Sequence, residues 1–225
     1  MNQNLLAMDT STQRASIALS MHGVIYAETE SVVFEHARNI LPMIERVLTA
    51  ADASIADLDG IVFGRGPGSF TGLRIACSVA KGLAYAHDLP LFSISSLASI
   101  AEQVLTRTQE QLPVLAMMDA RMNQVYWGFF TELTQEAREC VTNPEAVVIP
   151  ETMSFILAGV GLDNYLALLP EALQNTCVRH EVIHPDAAAM IRLVAVNNTQ
   201  PVDLANAEPV YIRNQVTHTQ GKSHG

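Results

Sequence analysis

The stretch Gly64-Arg65-Gly66-Pro67-Gly68-Ser69-Phe70-Thr71-Gly72 decides how the sequence is interpreted, because it separates two clear structural elements. The apolar run 61–63 before it predicts a short buried strand, and the helical spacing after it predicts a helix over about 71–87. Glycine-rich turns between a strand and a helix can bind anions through backbone N–H groups. Two alternatives stay open. The stretch could be a tight turn in which Ser69 or Thr71 caps the helix, or a rigid contact surface.

The elements around this turn predict a mixed α/β sheet in the first half. Residues 5–9, 15–20 and 24–30 alternate between apolar and polar positions or form short apolar runs, and together they predict an antiparallel meander. Helices predicted at about 37–51, 71–87 and 96–106 alternate with strands at 61–63 and 91–94. Because helical crossovers connect parallel strands, the sheet should continue in parallel beyond the meander.

The second half partly repeats this plan. Val114–Asp119 resembles Leu5–Asp9, since each apolar run ends in an aspartate and is followed by a turn that carries an arginine, Arg14 or Arg121. Helices are predicted at about 151–157, 163–169 and 186–197, with strands at 124–130, near 158–160 and near 178–183. We predict two α/β subdomains, residues 1–108 and 109–216, and a flexible tail at 217–225. The repeat is too short to decide whether the halves arose by duplication.

Composition excludes several classes of protein. Of the 225 residues, 49% are hydrophobic and 16% are charged, which excludes a mainly disordered chain. Thirteen Lys and Arg against 23 Asp and Glu give a net charge of −10, so we expect any contact with nucleic acid to be indirect. The three cysteines form no CxxC motif, and there is no signal peptide or long apolar run. We therefore expect a cytoplasmic protein without a membrane span.

Two short motifs are candidates for chemistry. Asp9-Thr10-Ser11-Thr12 follows the first strand and could contact phosphate or hold Mg²⁺ through water, or could close a hairpin turn with its own side chains. His180-Glu181-Val182-Ile183-His184 matches the HExxH zinc motif. Alternating polarity and the proline that follows predict a strand there, on which the two imidazoles lie about 13 Å apart. We therefore predict no metal site and no catalytic residue.

The first two helices are candidates for a partner surface. Apolar or small residues occupy more of their circumference than one buried face requires. The alternative is that both helices pack only on their own sheet. His36, just before the first helix, is interpreted as a capping or surface residue. The candidate interface consists of His36, Ile40, Leu41, Ile44, Val47, Gly68, Phe70, Arg74, Cys77, Ala80, Lys81 and Ala84.

Five groups of residues together resemble the bacterial TsaB (YeaZ) family. They are Leu5–Thr12, Glu35-His36-Ala37 with Leu41-Pro42, Gly66–Arg74, Asp119–Tyr126 and Pro209–Arg213. The resemblance covers nearly the whole chain, and Gly66–Arg74 is its most specific part. It implies an actin-like ATPase fold, in which two ribonuclease H-like α/β halves with mixed sheets follow one another.

The resemblance also implies a function. It indicates a non-catalytic scaffold that is required for threonylcarbamoyl transfer to the adenosine next to the anticodon in tRNAs reading ANN codons. The chain would pair with a catalytic TsaD-like subunit through its N-terminal helices, with a TsaE-like ATPase joining, and would form a homodimer when alone. We expect no tightly bound cofactor, with ATP or ADP and Mg²⁺ confined to the interface shared with the partner.

Departures from the related sequences agree with a non-catalytic role. The N-terminal half has no HxxxH metal motif, Val160 stands where relatives often carry Asn, and Asn214 stands where they often carry Asp. Two alternatives remain. One is a free-standing actin-like ATPase or phosphotransferase that uses Asp9 to Thr12, and the other is a metalloprotease that uses His180 and His184.

Overall fold

The first half forms a five-stranded sheet in this computed structural model, which describes residues 3–31, 35–107, 112–133, 137–150 and 153–213. The strands lie in the order β3-β2-β1-β4-β5. β1 to β3 are antiparallel, whereas β1, β4 and β5 are parallel, as the meander and the crossover helices predict. The strands are β1 (Leu5–Asp9), β2 (Arg14–Met21), β3 (Val24–Ser31), β4 (Gly60–Gly66) and β5 (Leu91–Ser95).

The second half repeats this topology. Its strands lie in the order β10-β9-β6-β7-β8, which is the order of the first sheet with every number raised by five and the list reversed. The strands are β6 (Val114–Arg121), β7 (Gln124–Phe130), β8 (Glu139–Thr142), β9 (Phe155–Val160) and β10 (Cys177–Val182). The repeat that the sequence only suggested therefore extends over two whole sheets.

In the described residues, five α-helices cover the sheets, and two of them pack chiefly on the sheet of the other half. They are α1 (His36–Ala50), α2 (Phe70–His87), α3 (Ser96–Leu105), α4 (Glu171–Thr176) and α5 (Ala187–Val196). α1 and α2 cover the outer face of the first sheet. α3 and α5 lie between the sheets, where α3 packs chiefly on the second sheet and α5 chiefly on the first. A bidentate ion pair joins them, with 2.6 and 2.7 Å from the Arg192 guanidinium to the buried Glu102 carboxylate.

The packing of α3 and α5 on the sheet of the opposite half bears on the predicted subdomains. α5 belongs to the predicted segment 109–216 in sequence, but most of its contacts are with the first sheet. One apolar core includes residues from both sheets and from both central helices. The division at residues 108 and 109 stays a prediction, and both the boundary and the predicted tail lie outside the described residues.

Two predicted helices of the second half were wrong, and one strand was missed. The helix expected at 151–157 is instead the start of β9, because Phe155-Ile156-Leu157-Ala158 is a continuous apolar run buried between two parallel neighbours. The helix expected at 163–169 is only a 3₁₀ turn at Leu166–Leu168, followed by the short α4. β8 was missed, because it is a half-buried edge strand without a clear apolar pattern.

Within the described ranges, no helix is both long enough and apolar enough to cross a membrane.

Candidate functional site

The segment Asp9–Thr12 is buried beneath the loop that leads into α2. Asp9 and Thr10 are 0% exposed and Ser11 is 2% exposed, whereas Thr12 is half-buried. The Thr10 hydroxyl donates to the Gly72 carbonyl at 2.6 Å, and the Ser69 N–H donates to the Ser11 carbonyl at 2.7 Å. The two segments that were candidates for binding phosphate are therefore hydrogen-bonded to each other.

Two glycines allow this close approach. A Cβ added at Gly72 would lie 1.8 Å from the Thr10 carbonyl oxygen, and one added at Gly68 would lie 2.5 Å from the Ser11 carbonyl oxygen. No side chain fits at either distance. The peptide bond between Gly66 and Pro67 is cis. Ser69 caps α2 by accepting from the Gly72 N–H at 3.3 Å, as one of the two open interpretations of this turn predicted.

Asp9 is fully occupied by contacts within the chain. Its Oδ1 accepts from the Ser11 N–H at 2.9 Å and from the Ser11 hydroxyl at 2.6 Å, and its Oδ2 accepts from the Ser96 hydroxyl at 2.9 Å. Burial raises the pKa of Asp9 above its usual value, although the hydrogen bonds from Ser11 and Ser96 act in the opposite direction. A phosphate or Mg²⁺ ion could reach this buried carboxylate only if the turn after β1 or the start of α3 moved.

His36 was interpreted wrongly as a capping or surface residue. It is the first residue of α1 and is buried, and its Nε2 lies 2.9 Å from the Thr12 carbonyl oxygen. The helix has no side-chain cap at Glu35. The imidazole thus connects α1 to the turn after β1 rather than facing solvent.

Most predicted interface residues lie in the core of the chain rather than on its surface. The buried apolar residues among them lie on the sides of α1 and α2 that face the first sheet. An apolar stripe on a helix packs on the nearest apolar surface, and here the sheet provides it. The buried ones are His36, Ile40, Ile44, Val47, Cys77, Ala80 and Ala84. As contacts for a partner, these seven would need the first half to open.

The other five predicted interface residues are accessible to different degrees. Leu41 and Phe70 are each 55% exposed, and Arg74 is also exposed. Gly68 and Lys81 are half-buried, and the Lys81 ammonium donates to the Ala207 carbonyl at 3.1 Å. These five are compatible with a surface, and their role as contacts stays a prediction.

An open groove of about 440 Å³ lies between the beginning of α1 and the outer side of α2. Its lining combines small and apolar residues with one guanidinium group. The lining residues are Ala37, Phe70, Thr71, Arg74, Ile75, Ser78 and Val79. The predicted interface included only Phe70 and Arg74 among them. The other α2 positions follow at helical spacing from Phe70 and Arg74, and that periodicity could have identified them.

The HExxH match does not form a metal site. His180 lies in β10, and His184 follows after that strand has ended, so the two are not on one face of a helix. Burial lowers the pKa of His184, and the nearby charge of Arg14 adds to the effect. In the described part of the chain, no three His, Cys, Asp or Glu side chains come close enough to hold a metal ion.

Comparison with known proteins gives concordant matches. The family model described as TsaD, tRNA N6-adenosine threonylcarbamoyltransferase, matches residues 12–218. The chain is 36% identical to the tRNA threonylcarbamoyladenosine biosynthesis protein TsaB of Escherichia coli, over 94% of this chain and 95% of that protein. It is 33% identical to the protein of the same name from Haemophilus influenzae, over 96% of each chain.

Solved structures give the same result for the fold. YeaZ from Pseudomonas aeruginosa superposes with a TM-score of 0.82 at 35% identity, covering 93% of this chain and 99% of that one. A second structure from the same organism, described as similar to peptidase YeaZ, gives a TM-score of 0.83 at 35% identity, covering 94% of this chain and all of the other.

Proposed function

Because this chain belongs to the TsaB (YeaZ) family, it has a role in the biosynthesis of tRNA threonylcarbamoyladenosine, and we propose that this role is that of a non-catalytic scaffold. In this proposal the chain binds a catalytic TsaD-like subunit and thereby enables threonylcarbamoyl transfer to the adenosine next to the anticodon. The fold is the actin-like one that the resemblance implied, with two α/β halves of equal topology.

The observation that carries the proposal is the groove between α1 and α2. Its lining includes Ala37, Ile75 and Val79 together with Phe70, which has 55% of its surface exposed. A groove of this kind between two helices can take the apolar side of a partner helix. It lies on the outer layer of the molecule, where no other element of the described chain covers it.

The remaining parts of the proposal concern further partners. A TsaE-like ATPase joins the pair, and in the absence of the catalytic subunit two copies of this chain bury the same groove against each other. tRNA is held mainly by the other subunits, which agrees with the net charge of −10.

We also propose that nucleotide is not held tightly by this chain alone. The burial of Asp9, Thr10 and Ser11 supports this view, because the side chains best suited to phosphate or Mg²⁺ are bonded internally. ATP or ADP with Mg²⁺ would then bind at the interface shared with the catalytic subunit. The same burial weighs against a free-standing ATPase, and the placement of His180 in a strand weighs against a metalloprotease.

The test is binding of the TsaD-like subunit from the same organism, measured by isothermal titration calorimetry. Ser78→Arg places a large charged side chain on an exposed position in the groove, and we expect it to weaken binding at least about tenfold. Ala195→Arg is the matched control, because Ala195 is also exposed on a helix but lies on α5. Both variants should keep the circular dichroism spectrum of the parent chain.

The outcome is decisive for the assigned surface. If the parent chain does not bind the TsaD-like subunit, the scaffold proposal fails. If both arginine variants bind as the parent does, the scaffold role stands but the groove is not its interface. Ile44 and Ala80 are unsuitable positions for this test, because they are 4% and 0% exposed and substitution there would damage the core.

A further inference from the structure

The segment 202–213 lies along the first half like a strap, although it follows the second half in sequence. Val202 forms an antiparallel bridge with Leu91, and the Ala207 carbonyl accepts from the Lys81 ammonium at 3.1 Å. The Val210 N–H donates to the Arg65 carbonyl at 2.8 Å. These contacts follow α2 from its C-terminal part back to the loop that precedes it.

The strap reaches the edge of the groove at Tyr211. The Tyr211 ring lies 5.2 Å from the Phe70 ring, and the Tyr211 hydroxyl accepts from the Arg74 Nε at 3.0 Å. The Arg74 guanidinium in turn lies 3.8 Å above the centre of the Phe70 ring. The strap therefore adds an aromatic side chain to the groove and fixes the orientation of its only guanidinium group.

The last residues of the strap contact the second half. Ile212 is buried against Ala120 and Val141. Arg213 donates from Nη2 to the Ala120 carbonyl at 2.8 Å and from Nη1 to the Met122 sulfur at 3.2 Å. Arg213 follows Tyr211, the partner of Arg74, by two residues, so at most about 7 Å of backbone separates Tyr211 from Arg213.

Arg74 and Arg213 are both held in fixed orientations without a carboxylate partner. Neither has a carboxylate within 4.0 Å among the described residues, whereas Arg65 and Arg192, for example, each have one. Other arginines of the described chain also lack such a partner, so the distinguishing feature of this pair is the way it is held. Both are held in place by neutral groups, namely aromatic rings, a hydroxyl, a carbonyl and a thioether. Two fixed and uncompensated positive charges are notable in a chain whose net charge is −10.

We propose that the strap is part of the partner interface, and that Arg74 and Arg213 bind carboxylates of an acidic segment of the partner while an apolar side chain of that segment enters the groove. This inference rests on the proposed function and specifies the chemistry of the partner. Tyr211 contacts Arg74 beside the groove, and Arg213, two residues later, contacts the second half, so the proposed interface extends from the first half to the second. Guanidinium groups held in fixed orientations suit carboxylates well.

RNA phosphate is the other anion that such a pair could bind. The structure favours a protein segment, because Arg74 lines a largely apolar groove and the chain as a whole is acidic. Phosphate backbones are bound by extended basic surfaces rather than by two arginines beside apolar side chains.

The test measures the affinity for the TsaD-like subunit at about 50 mM and about 500 mM NaCl, because salt screens exposed charge pairs. We expect Arg213→Glu to weaken binding at least about tenfold at low salt, with a smaller effect at high salt. Arg213→Gln and Arg74→Gln remove one charge each but keep a hydrogen-bond donor, and we expect about threefold to tenfold weaker binding. These milder variants keep the inference testable if Arg213→Glu fails to fold.

Arg107→Glu is the matched control, because it makes the same change of charge at an exposed residue of the first half, just beyond α3. If Arg213→Glu and Arg74→Gln bind like Arg107→Glu while the parent chain binds well, this inference is wrong and the scaffold role survives. If the parent chain does not bind at all, the proposed function itself fails. If the variants bind the subunit normally but the assembled complex loses affinity for tRNA, the two arginines bind RNA and the inference is overturned.

Discussion

Asp9 and Asp119 occupy equivalent places in the two halves but have opposite surroundings. Each follows directly after a parallel pair of its sheet, Met8 with Phe63 in the first half and Met118 with Val160 in the second. Each therefore faces the next residue of the neighbouring strand, which is a glycine in both halves. Each carboxylate also accepts from the backbone N–H two residues later, at 2.9 Å for Asp9 and 2.7 Å for Asp119.

The difference lies in what covers these two carboxylates. In the first half, the loop before α2 and the central helices close over Asp9, which is 0% exposed. In the second half, no comparable loop from the described residues covers Asp119. The Tyr165 hydroxyl donates to it at 2.9 Å, and its side chain stays 24% exposed beside the exposed Arg121.

This comparison shows how one backbone arrangement can serve two purposes. In the first half, Asp9 holds the turn that is hydrogen-bonded to the loop before α2. That loop leads into the helix that lines the groove proposed to bind a partner. In the second half the same aspartate orders a hairpin that the strap contacts through Arg213. The sequence pattern of a strand ending in Asp therefore identifies the repeat but not the role of the carboxylate.

The largest expected effect comes from adding one methyl group to the closed half. Gly72→Ala would place a Cβ 1.8 Å from the Thr10 carbonyl oxygen, so the loop must move away from the turn. We expect the free energy of unfolding to fall by roughly 3 kcal/mol or more. Gly161→Ala in the open half would meet the Asp119 side chain at 3.0 Å with φ at +71°, and we expect a loss of about 1–2 kcal/mol. Urea denaturation measures both.

Gly82→Ala is the control for this pair. No atom lies within 4 Å of a Cβ added at Gly82, which is exposed in α2, so this change should raise stability by up to about 1 kcal/mol. Equal losses for Gly72→Ala and Gly161→Ala would contradict the view that only the first half is tightly closed.

The second prediction concerns pH and the buried carboxylate of the closed half. Burial raises the pKa of Asp9 above the model-peptide value of 3.8, so the folded state binds its proton more tightly than the unfolded state does. The contribution of Asp9 to stability therefore falls as pH rises from about 3.8 through the folded-state pKa, by at most about 1.4 kcal/mol per pH unit. Asp9→Asn should remove this component, since the amide oxygen can still accept from Ser11.

The measurement is the free energy of unfolding against pH for the parent chain and for Asp9→Asn. The difference between the two curves should shift in favour of the asparagine variant as pH rises above 3.8. A difference that stays constant with pH would mean that the Asp9 carboxylate is solvated, and that the first half is as open as the second.

The smallest expected effect distinguishes the hairpin turns of the two halves. The β2–β3 turn uses His22-Gly23 and the β6–β7 turn uses Met122-Asn123, and all four residues have positive φ. Glycine suits the second position of such a turn better than asparagine does. Asn123→Gly should therefore raise the free energy of unfolding by about 0.5 kcal/mol, with a slightly higher melting temperature. Gly23→Asn should lower both by a similar amount. A loss of stability for Asn123→Gly, or a gain for Gly23→Asn, would show that the turns are not equivalent.

Local signals predicted much of this molecule, and contacts between distant residues account for the rest. The strand ending in Asp9 and the turn before α2 are evident from short runs of residues. The start of β9 at Phe155 was missed because a four-residue apolar run fits a buried strand or a buried helix equally well. The periodicity of α1 and α2 identified an apolar face but not the sheet that covers Ile44 and Ala80.

The residues that complete the groove illustrate the same limit. Tyr211 is 137 positions away from Arg74 along the chain, and no spacing rule connects them. Sequence alone could name Tyr211 within a motif of the family, but it could not place the hydroxyl beside the arginine. Only the folded path of the strap brings the two together.

The exchange of α3 and α5 between the sheets has a consequence for folding cooperativity. Each sheet is covered on its inner face mainly by a helix that belongs to the other half in sequence. A fragment that contains only one half would leave apolar strands open to water and should not fold alone, whereas two complementary fragments could fold when mixed. The intact chain should therefore melt in a single calorimetric transition whose enthalpy corresponds to all of its packed residues, despite its internal symmetry.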